Sequence, residues 1–548
     1  MSPTRRNFLQ HAAAFSLLPR AAFSQMQHEH MQSGAATAPT HAAPIVPQLH
    51  SLELTPFVDP LALPRVARAS ASHKLRIGMR EVHAKIHRDV PPTRMWSYYD
   101  LAAPGRADTA LAPLIEARAH QPLEVEWVNN LPQQHFLPID HSLHGCGRDV
   151  PDVRAIVHVH GARVPSKDDG HPDDWYVPGQ SLGCRYPLQQ DATALWYHDH
   201  AMGLNRLNMY AGLFGMMLVR DAAEDALNLP KGRYELPLIL YDRNFSADGQ
   251  LFYPTSGDPE HPWVSEFAGD AILINGKIRP FLEVEPRLYR LRIVNAANSR
   301  FFRLGLSNQQ PLHQIGGDQG LLPAPVTLSA VTFAPGERLD LLVDFTQAAG
   351  QTLHLRNNAF DILQFRVQSH VQFHGGGKPS PQAAASSVPK SLPAVERLAE
   401  SSATMTRTIT LNEYQDKVGN SMMMLLNRKH WHEPVTERPR LNSTEIWEFV
   451  NQTEDTHPMH LHLVRMQVLD RRVFDTFDYL MHKHLRFTAA AEPPAANEMG
   501  WKDVVQCPPG MITRVIVRFE GYTGSYLYHC HILEHEANDM MRPFEVIA

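Results

Sequence analysis

Hydrophobic and polar residues alternate along much of the chain. The stretches 123–128 and 288–294 place an apolar residue at nearly every second position. A period of two is typical of half-buried β-strands, and the 43 Pro and 31 Gly residues supply frequent turns. The pattern predicts an all-β chain of short strands arranged as sandwiches or barrels.

The length of 548 residues corresponds to three or four domains. A strand-like stretch, LFGMMLVRD, ends near residue 222, and the low-complexity stretch GGGKPSPQAAASSVP follows the middle third. The predicted segments are 1–24 (export signal), 25–47 (disordered linker), 48–222 (first domain), 223–372 (second domain), 373–404 (interdomain linker) and 405–548 (third domain).

Charge and hydropathy exclude several partners. The net charge of −6 argues against nucleic acid or an anionic membrane as a partner. No run of 18 or more apolar residues is present, so no membrane span is expected.

The amino terminus has the features of an export signal. A twin-arginine pattern at Thr4–Leu9 precedes a short apolar stretch and a small-residue cleavage site near Ser24. We expect recognition by the twin-arginine (Tat) translocase and a periplasmic or cell-surface location; the alternative is a basic, disordered start. The next stretch, Met26–Met31, contains Met and His and is either a weak copper-capturing tail or a plain linker.

Several His-X-His pairs are the strongest chemical signal in the chain. On a strand, residues i and i+2 point to the same face, so each pair presents two parallel imidazoles. The four pairs considered as ligands are His158/His160, His198/His200, His460/His462 and His529/His531.

A cysteine lies inside the last pair, in the sequence His529-Cys530-His531. Together with His457, His535 and Met540 it gives two His, one Cys and a Met, which is the ligand set of a blue copper site. These four residues and the eight paired histidines make twelve positions, which predict four copper ions. Zinc is the main alternative, but a closed tetrahedral zinc site has no use for eight paired imidazoles or a distant Met.

The chain resembles the multicopper oxidases, in particular the spore-coat laccase, bilirubin oxidase and phenoxazinone synthase branch. The resemblance runs from about residue 45 to the end and is carried by LWYHDHAMGLNRLNMYAGLFG, THPMHLHL and YHCHILEHEANDMMRPFEV. It implies three cupredoxin-like Greek-key domains. It also assigns His457, Cys530, His535 and Met540 to type 1 copper, His158 and His460 to type 2 copper, and His160, His198, His200, His462, His529 and His531 to the type 3 pair.

The resemblance implies an enzyme that oxidises phenols, aromatic amines or bilirubin-type tetrapyrroles and reduces O2 to water. Cys530 would pass electrons from the type 1 site to its His neighbours. Two carboxylates, Glu536 and Asp169, match positions that aid proton delivery in similar oxidases; the alternative is that both are surface acids. The alternative functions are a periplasmic metallo-oxidase for cuprous or manganous ions and a non-catalytic copper-binding protein. We expect a monomer.

The other cysteines and histidines carry weaker signals. Cys146 and Cys184 lie in the first domain of a protein expected to be exported, so they form either a disulfide or two free thiols. Cys507 is expected to be buried without a partner. The histidines of the middle domain are isolated and predict no metal site there: His261, His313, His354 and His370.

Overall fold

The computed structural model describes residues 46–69, 74–105, 108–259, 261–369, 387–417 and 419–548. The predicted export signal, the Met26–Met31 stretch and much of the predicted interdomain linker lie outside the described residues. By its contacts the chain divides into two units, and the larger one holds Val46–Thr255 and Trp263–Ala548. In the smaller unit, the N–H of Ser256 donates to the Pro262 carbonyl at 3.0 Å, which closes a short turn.

Strands dominate the larger unit, in agreement with the all-β prediction. In the first third of the chain they are β1 (Val66–Ala67), β2 (Leu75–Ala84), β3 (Thr93–Asp100), β4 (Leu114–Arg118), β5 (Leu123–Asn129), β6 (Val157–His160), β7 (Ser181–Tyr186), β8 (Thr193–Asp199) and β9 (Phe214–Arg220). They form two sheets with the orders β1-β4-β9-β8-β6 and β3-β2-β5-β7.

The middle third also contains two sheets. Its strands are β10 (Glu235–Phe245), β11 (Leu251–Phe252), β12 (Ala271–Ile274), β13 (Lys277–Ile278), β14 (Phe281–Val284), β15 (Leu288–Asn295), β16 (Phe302–Leu306), β17 (Leu312–Gly317), β18 (Gly320–Leu328), β19 (Ala330–Phe333), β20 (Arg338–Asp344), β21 (Thr352–Asn357) and β22 (Phe360–Val367). One sheet follows the order β13-β12-β10-β15-β20-β17-β18, with β11 beside β10, and the other β14-β22-β21-β16-β19.

The last third repeats the arrangement. Its strands are β23 (Met405–Gln415), β24 (Ser421–Leu426), β25 (Thr444–Asn451), β26 (His457–Leu461), β27 (Met466–Val473), β28 (Val504–Cys507), β29 (Met511–Arg518), β30 (Gly524–Cys530) and β31 (Met541–Val546). The sheet orders are β24-β23-β25-β29-β27 and β28-β26-β30-β31. Three pairs of sheets, each around its own apolar core, therefore make up the three domains.

Helices are few and short among the described residues. They are α1 (Asn205–Ala211), α2 (Ala222–Ala226), α3 (Thr476–His482) and α4 (Leu533–Ala537), with 3-10 turns at Ser51–Glu53, Ser166–Asp168, Gly232–Tyr234, Thr346–Ala348, Glu400–Ser402 and Ala496–Glu498. Over the described part of the chain, none of the helices has the length and apolar character needed to cross a membrane.

The strand β15 differs from the simple alternating pattern that predicted it. All eight of its residues are buried, including Arg290 and Arg292. Arg290 donates to Asp340 and to Glu224, and Arg292 donates to the same Glu224. Sequence alternation predicted a strand with one solvent-exposed face, whereas these ion pairs allow charged residues to face the interior.

Part of the predicted interdomain linker packs on the third domain. Leu398 is 6% exposed and contacts Ile446 and Ile516. Its N–H donates to Oε1 of Gln467 at 3.0 Å. Earlier in the segment, Val388 and Leu392 pack instead against the middle-domain residues Leu288 and Leu342.

Candidate metal centres

The twelve predicted ligands form two buried groups. Every one of these side chains has an exposure of 1% or less. The first group, called the thiol site below, contains His457, Cys530, His535 and Met540. The second group, called the histidine cluster below, contains His158, His160, His198, His200, His460, His462, His529 and His531.

Three ligand atoms converge at the thiol site. The Sγ of Cys530 lies 3.5 Å from Nδ1 of His457 and 3.6 Å from Nδ1 of His535. The two Nδ1 atoms are 3.2 Å apart. Burial raises the pKa of the Cys530 thiol and lowers that of both imidazoles, for His457 to about 3. Two neutral imidazoles and a thiol that a soft metal would deprotonate fit a copper ion.

Hydrogen bonds fix the orientation of the thiol site. Thr453 Oγ1 lies 2.6 Å from Nε2 of His457, so the Nδ1 of that ring faces Cys530. The backbone N–H of Met540 donates to the His535 carbonyl, and the N–H of Cys530 donates to the Met540 carbonyl. The short helix α4 and the residues after it therefore fold back over the end of β30, which brings the His535 ring to the thiol and the Met540 backbone beside Cys530.

Paired strands from two domains build the histidine cluster. In the first domain, β6 and β8 are antiparallel with His158 opposite His198. In the third domain, β26 and β30 are antiparallel with His460 opposite His529. Because residues i and i+2 share a face, each strand contributes both members of its pair, or extends just past its end to do so.

Imidazoles from the two domains touch across the cluster. The rings of His158 and His462 stack with centroids 3.8 Å apart, and those of His160 and His460 stack at 3.7 Å. The Nε2 of His529 lies 3.2 Å from that of His462. The first and third domains thus share a single cluster.

Many ring nitrogens of the cluster are free to bind a metal. Among the described residues, Nε2 of His158, His198 and His460 and both nitrogens of His531 have no hydrogen-bond partner. Burial lowers the pKa of these rings, for His198 and His531 to about 3. Buried, neutral and unpartnered imidazole nitrogens are costly unless a cation binds them, so the cluster fits metal ions.

Asp169 and Glu536 both contact cluster histidines. Nδ1 of His462 lies 2.8 Å from Oδ2 of Asp169, and His158 Nδ1 lies 2.6 Å from the Asp169 carbonyl. Oε2 of Glu536 lies 3.2 Å from Nδ1 of His529. Both carboxylates are buried, at 3% and 1% exposure, so neither is a surface acid.

The two carboxylates have opposite pKa shifts. Burial raises the pKa of Asp169 well above its usual range. Burial acts in the same direction on Glu536, but His529 and His200 outweigh it and lower the pKa of that carboxyl. Asn205 also donates to Oε1 of Glu536 at 2.6 Å. Burial therefore shifts the Asp169 carboxyl toward its protonated form, and the neighbouring imidazoles shift Glu536 toward its ionised form.

Sequence reasoning missed a third carboxylate, Asp503. Its Oδ1 lies 3.1 Å from Nε2 of His160, and its carbonyl lies 2.8 Å from Nδ1 of His460. Arg338 of the middle domain donates through two guanidinium nitrogens to the Asp503 carboxylate. Both residues are fully buried. The adjacent charges Lys502-Asp503 before the apolar strand β28 were the available signal.

Sequence reasoning also missed Glu266, which lies beside the thiol site. Its Oε2 is buried, has no hydrogen-bond partner among the described residues, and lies 3.9 Å from Nε2 of His535. Burial, with the nearby charges of Asp455 and Glu413, raises the pKa of Glu266 to about 8. The local sequence around Glu266 gives no sign of this placement, because the contact joins distant parts of the chain.

The remaining predicted residues stay outside both groups. All four cysteines are free thiols, so Cys146 and Cys184 are not joined. Cys507 is buried, as expected, at 0% exposure. In the middle domain, His313 lies near Thr327 and His354 near Asp361, and neither approaches the twelve ligands.

Comparisons with known proteins agree with this geometry. Two family models described as multicopper oxidase match residues 399–548 and 150–224. A laccase from Bacillus stratosphericus is 42% identical and covers 90% of this chain and 100% of the relative. A laccase from Bacillus subtilis is 41% identical, covering 90% and 99%. The crystal structure of McoA multicopper oxidase from Aquifex aeolicus matches with a TM-score of 0.72 and 28% identity, covering 89% of this chain and 99% of that chain.

Proposed function

The chain belongs to the multicopper oxidase family, and from that premise we propose that it binds four copper ions and oxidises phenols, aromatic amines or bilirubin-type tetrapyrroles. It is a laccase-like copper oxidoreductase that uses O2 as electron acceptor. The fold supports this function, because relatives of the same architecture match over nearly the whole chain.

The two buried groups support a division of the copper ions. The thiol site would hold type 1 copper. In the histidine cluster, His158 and His460 would hold type 2 copper, and the other six imidazoles would hold the type 3 pair. The contact of His200 and His462 with His529 supports one half of that pair, and the proximity of His160 and His198 to His531 supports the other.

Copper, when bound, supplies one-electron oxidation at the thiol site and four-electron reduction of dioxygen at the histidine cluster. The chain contributes the connection between them: Cys530 lies between His529 and His531, so covalent bonds link a thiol-site ligand to two cluster ligands. Burial of all three residues excludes water from this link. The backbone pairing of β26 with β30 keeps the connection in one register.

The flanking carboxyls suit proton handling near the cluster. The raised pKa of Asp169 lets it hold a proton at a carboxyl oxygen beside His462. The lowered pKa of Glu536 keeps its carboxylate ionised beside His529, so a proton that it takes up is released readily. Asn205 orients the Glu536 carboxylate through its amide. These residues would supply the protons that reduction of dioxygen to water consumes.

One observation carries the proposal. Cys530 belongs to a buried site with two His, and its two chain neighbours, His529 and His531, belong to a cluster of eight buried imidazoles. The test is oxygen uptake by the copper-loaded protein with a dimethoxyphenol, bilirubin and cuprous ion under identical conditions. Fast uptake with the organic reductants supports a laccase or bilirubin-oxidase type. Uptake with none of the three contradicts the proposal.

A metallo-oxidase is the second candidate, favoured by the acidic edge of the thiol site. Nε2 of His535 has no hydrogen-bond partner in the described chain and faces Glu266, with Asp455 and Glu413 nearby. The ionised carboxylates at this edge would attract a cuprous or manganous ion to the ring through which the thiol site is reached, and Glu266 would add its charge above its pKa of about 8. Fast uptake with cuprous ion alone, in the experiment above, favours this candidate.

We also propose export through the Tat route to the periplasm, supported by Arg5 and Arg6 before a short apolar stretch. Replacing both arginines by lysine is expected to keep the protein in the cytoplasmic fraction of its host. Unchanged fractionation would exclude this route. A sedimentation measurement tests the expected monomer.

A further inference from the structure

A third group of side chains that can bind a metal lies outside the twelve predicted ligands. The carboxylate of Asp539 contacts two imidazoles: Oδ1 lies 2.9 Å from Nδ1 of His144, and Oδ2 lies 2.7 Å from Nδ1 of His430. The ring of His432 adjoins both, with centroids 5.7 Å from His144 and 5.9 Å from His430. Two imidazoles thus contact one carboxylate, and a third imidazole adjoins both of them.

The group joins the first and third domains. His144 lies between β5 and β6, and His430-Trp431-His432 lies between β24 and β25, forming one more His-X-His pair. Asp539 lies between α4 and β31, directly before the predicted ligand Met540. Residues from three separate parts of the sequence therefore meet at one point.

Buried contacts hold the backbone around these residues. Arg542 is fully buried and donates to the carbonyls of His430, Trp431 and Pro434. Trp431 packs against Met202 in a small apolar cluster with Leu527 and Met541. The imidazoles are therefore carried by a backbone that is already ordered, which lowers the entropic cost of binding an ion.

Next to His144, the chain turns at Gly145. Its φ is +74°, and a Cβ there would lie 2.4 Å from Cγ of Met202. Only glycine suits this backbone without moving the methionine. The turn presents His144 toward the third domain.

Exposure separates this group from the twelve buried ligands. The His144 side chain is 34% exposed and that of His430 40%, whereas Asp539 is 9% exposed. An ion from solvent can therefore reach the imidazoles, and the carboxylate beneath them is partly shielded. Imidazole together with carboxylate suits borderline divalent ions such as Zn²⁺ and Cu²⁺.

We propose that His144, His430, His432 and Asp539 form a further transition-metal site, which binds one Zn²⁺ or Cu²⁺ ion from solvent and fastens the His144 turn to the segment before Met540. The ion would replace the ring protons that now face the carboxylate oxygens, with solvent completing a four-coordinate shell. The site is separate from the predicted copper ligands, so occupation of one does not require occupation of the other.

The test uses the fully copper-loaded protein and Zn²⁺, which is redox-silent, in a calorimetric titration. The double variant His144→Gln/His430→Gln removes two ligands, and His482→Gln/His484→Gln is the matched control, because it removes an exposed His-X-His pair elsewhere. We expect the first variant to lose one Zn²⁺ per chain or to bind it at least about tenfold more weakly, and the control to match the parent. Other zinc-binding stretches, including Met26–Met31, are common to all three proteins.

Equal zinc binding by the parent and the His144/His430 variant would overturn the proposal and leave the group as His–Asp hydrogen bonds only. Loss of the ion in the control variant would equally overturn it. A second variant, Asp539→Asn, keeps the side-chain shape and tolerates the φ of +67° at this position. It should abolish the rise in melting temperature that Zn²⁺ gives the parent protein. Oxygen uptake is measured in parallel, so failure of this proposal is distinguishable from failure of the proposed function.

Discussion

The thiol site and the histidine cluster use similar ligands but are built in different ways. The thiol site draws its four predicted ligands from one domain, within residues 457–540. The cluster takes half of its imidazoles from the first domain and half from the third. The middle domain contributes no imidazole, but its Arg338 binds Asp503 beside the cluster.

Because of this difference, the two sites depend on different parts of the structure. The thiol site needs only the fold of one domain and a tight turn after β30, so it is a local structure. The cluster exists only when three domains pack correctly, and a buried ion pair holds that packing. Damage to the thiol site should therefore stop electron entry without disturbing the cluster. Damage to the domain packing should disturb the cluster and leave the thiol site intact.

The strongest test of this division is Cys530→Ser. A hydroxyl does not replace a soft thiolate, so we expect the intense blue absorption of type 1 copper to vanish and oxygen uptake with any reductant to fall more than about 10³-fold. Copper at the cluster should remain, measured as metal content per chain. Cys507→Ser is the matched control, since Cys507 is also buried but lies opposite His457 without joining the ligand atoms. Retained activity in Cys530→Ser would contradict the proposal that Cys530 binds type 1 copper.

Arg338→Met tests the other half of the comparison. It leaves the fully buried carboxylate of Asp503 without its cation, which should cost about 3–5 kcal/mol of unfolding free energy. Urea unfolding measures the loss, and metal analysis should show cluster copper reduced while the blue absorption persists. Lys231→Met, which breaks an exposed pair with Asp225, should change stability by less than about 1 kcal/mol. If both variants behaved alike, the buried pair would not hold the cluster together.

The sequence predicted the histidine pairs and missed their supports for one physical reason. Ligands on a strand repeat at i and i+2, so His158/His160 and His529/His531 are recognisable as short motifs in the sequence. The partners that fix them act across the fold: Arg338 and Asp503 are 165 residues apart. Glu266 likewise meets His535 only after the domains pack. Alternation predicted the position of β15 but not the burial of Arg290, since ion pairs formed elsewhere decide it.

Glu536→Gln tests proton delivery within the cluster. The amide keeps the shape of the side chain but cannot accept a proton as the carboxylate does. We expect oxygen reduction to slow about 10- to 100-fold, with unchanged copper content and unchanged anaerobic reduction of the type 1 site. Glu534→Gln is the matched control on α4, because Glu534 contacts Arg206 and Asn298 instead of cluster histidines. Normal oxygen reduction in Glu536→Gln would exclude the relay.

Glu266→Gln sharpens the description of the thiol-site edge. Above the Glu266 pKa of about 8 this substitution removes one negative charge beside His535, and at such a pH it should raise the KM for cuprous ion about tenfold, equivalent to about 1.4 kcal/mol. The kcat and KM for a dimethoxyphenol serve as the internal control and should change little, because a neutral phenol gains nothing from the charge. Equal changes for both reductants would mean that Glu266 supports the structure of the edge without selecting cations.

The smallest expected effect, and the most local, comes from Met540→Leu. Met540 is fully buried after α4, and its carbonyl accepts from the Cys530 N–H, so the backbone should hold when the thioether is lost. Leucine has a similar volume and should cost less than about 1.5 kcal/mol. A thioether ligand stabilises oxidised copper, so its removal should raise the type 1 reduction potential by up to about 60 mV, a tenfold change for a one-electron couple. The neighbouring Met541 packs against Met202 and Trp431, so Met541→Leu is the matched control and should leave the potential unchanged. Redox titration of the blue absorption measures both variants. If the potential shifted equally in the two, general packing and not ligation by Met540 would set it, and the thiol site would have to be redrawn as a three-ligand site.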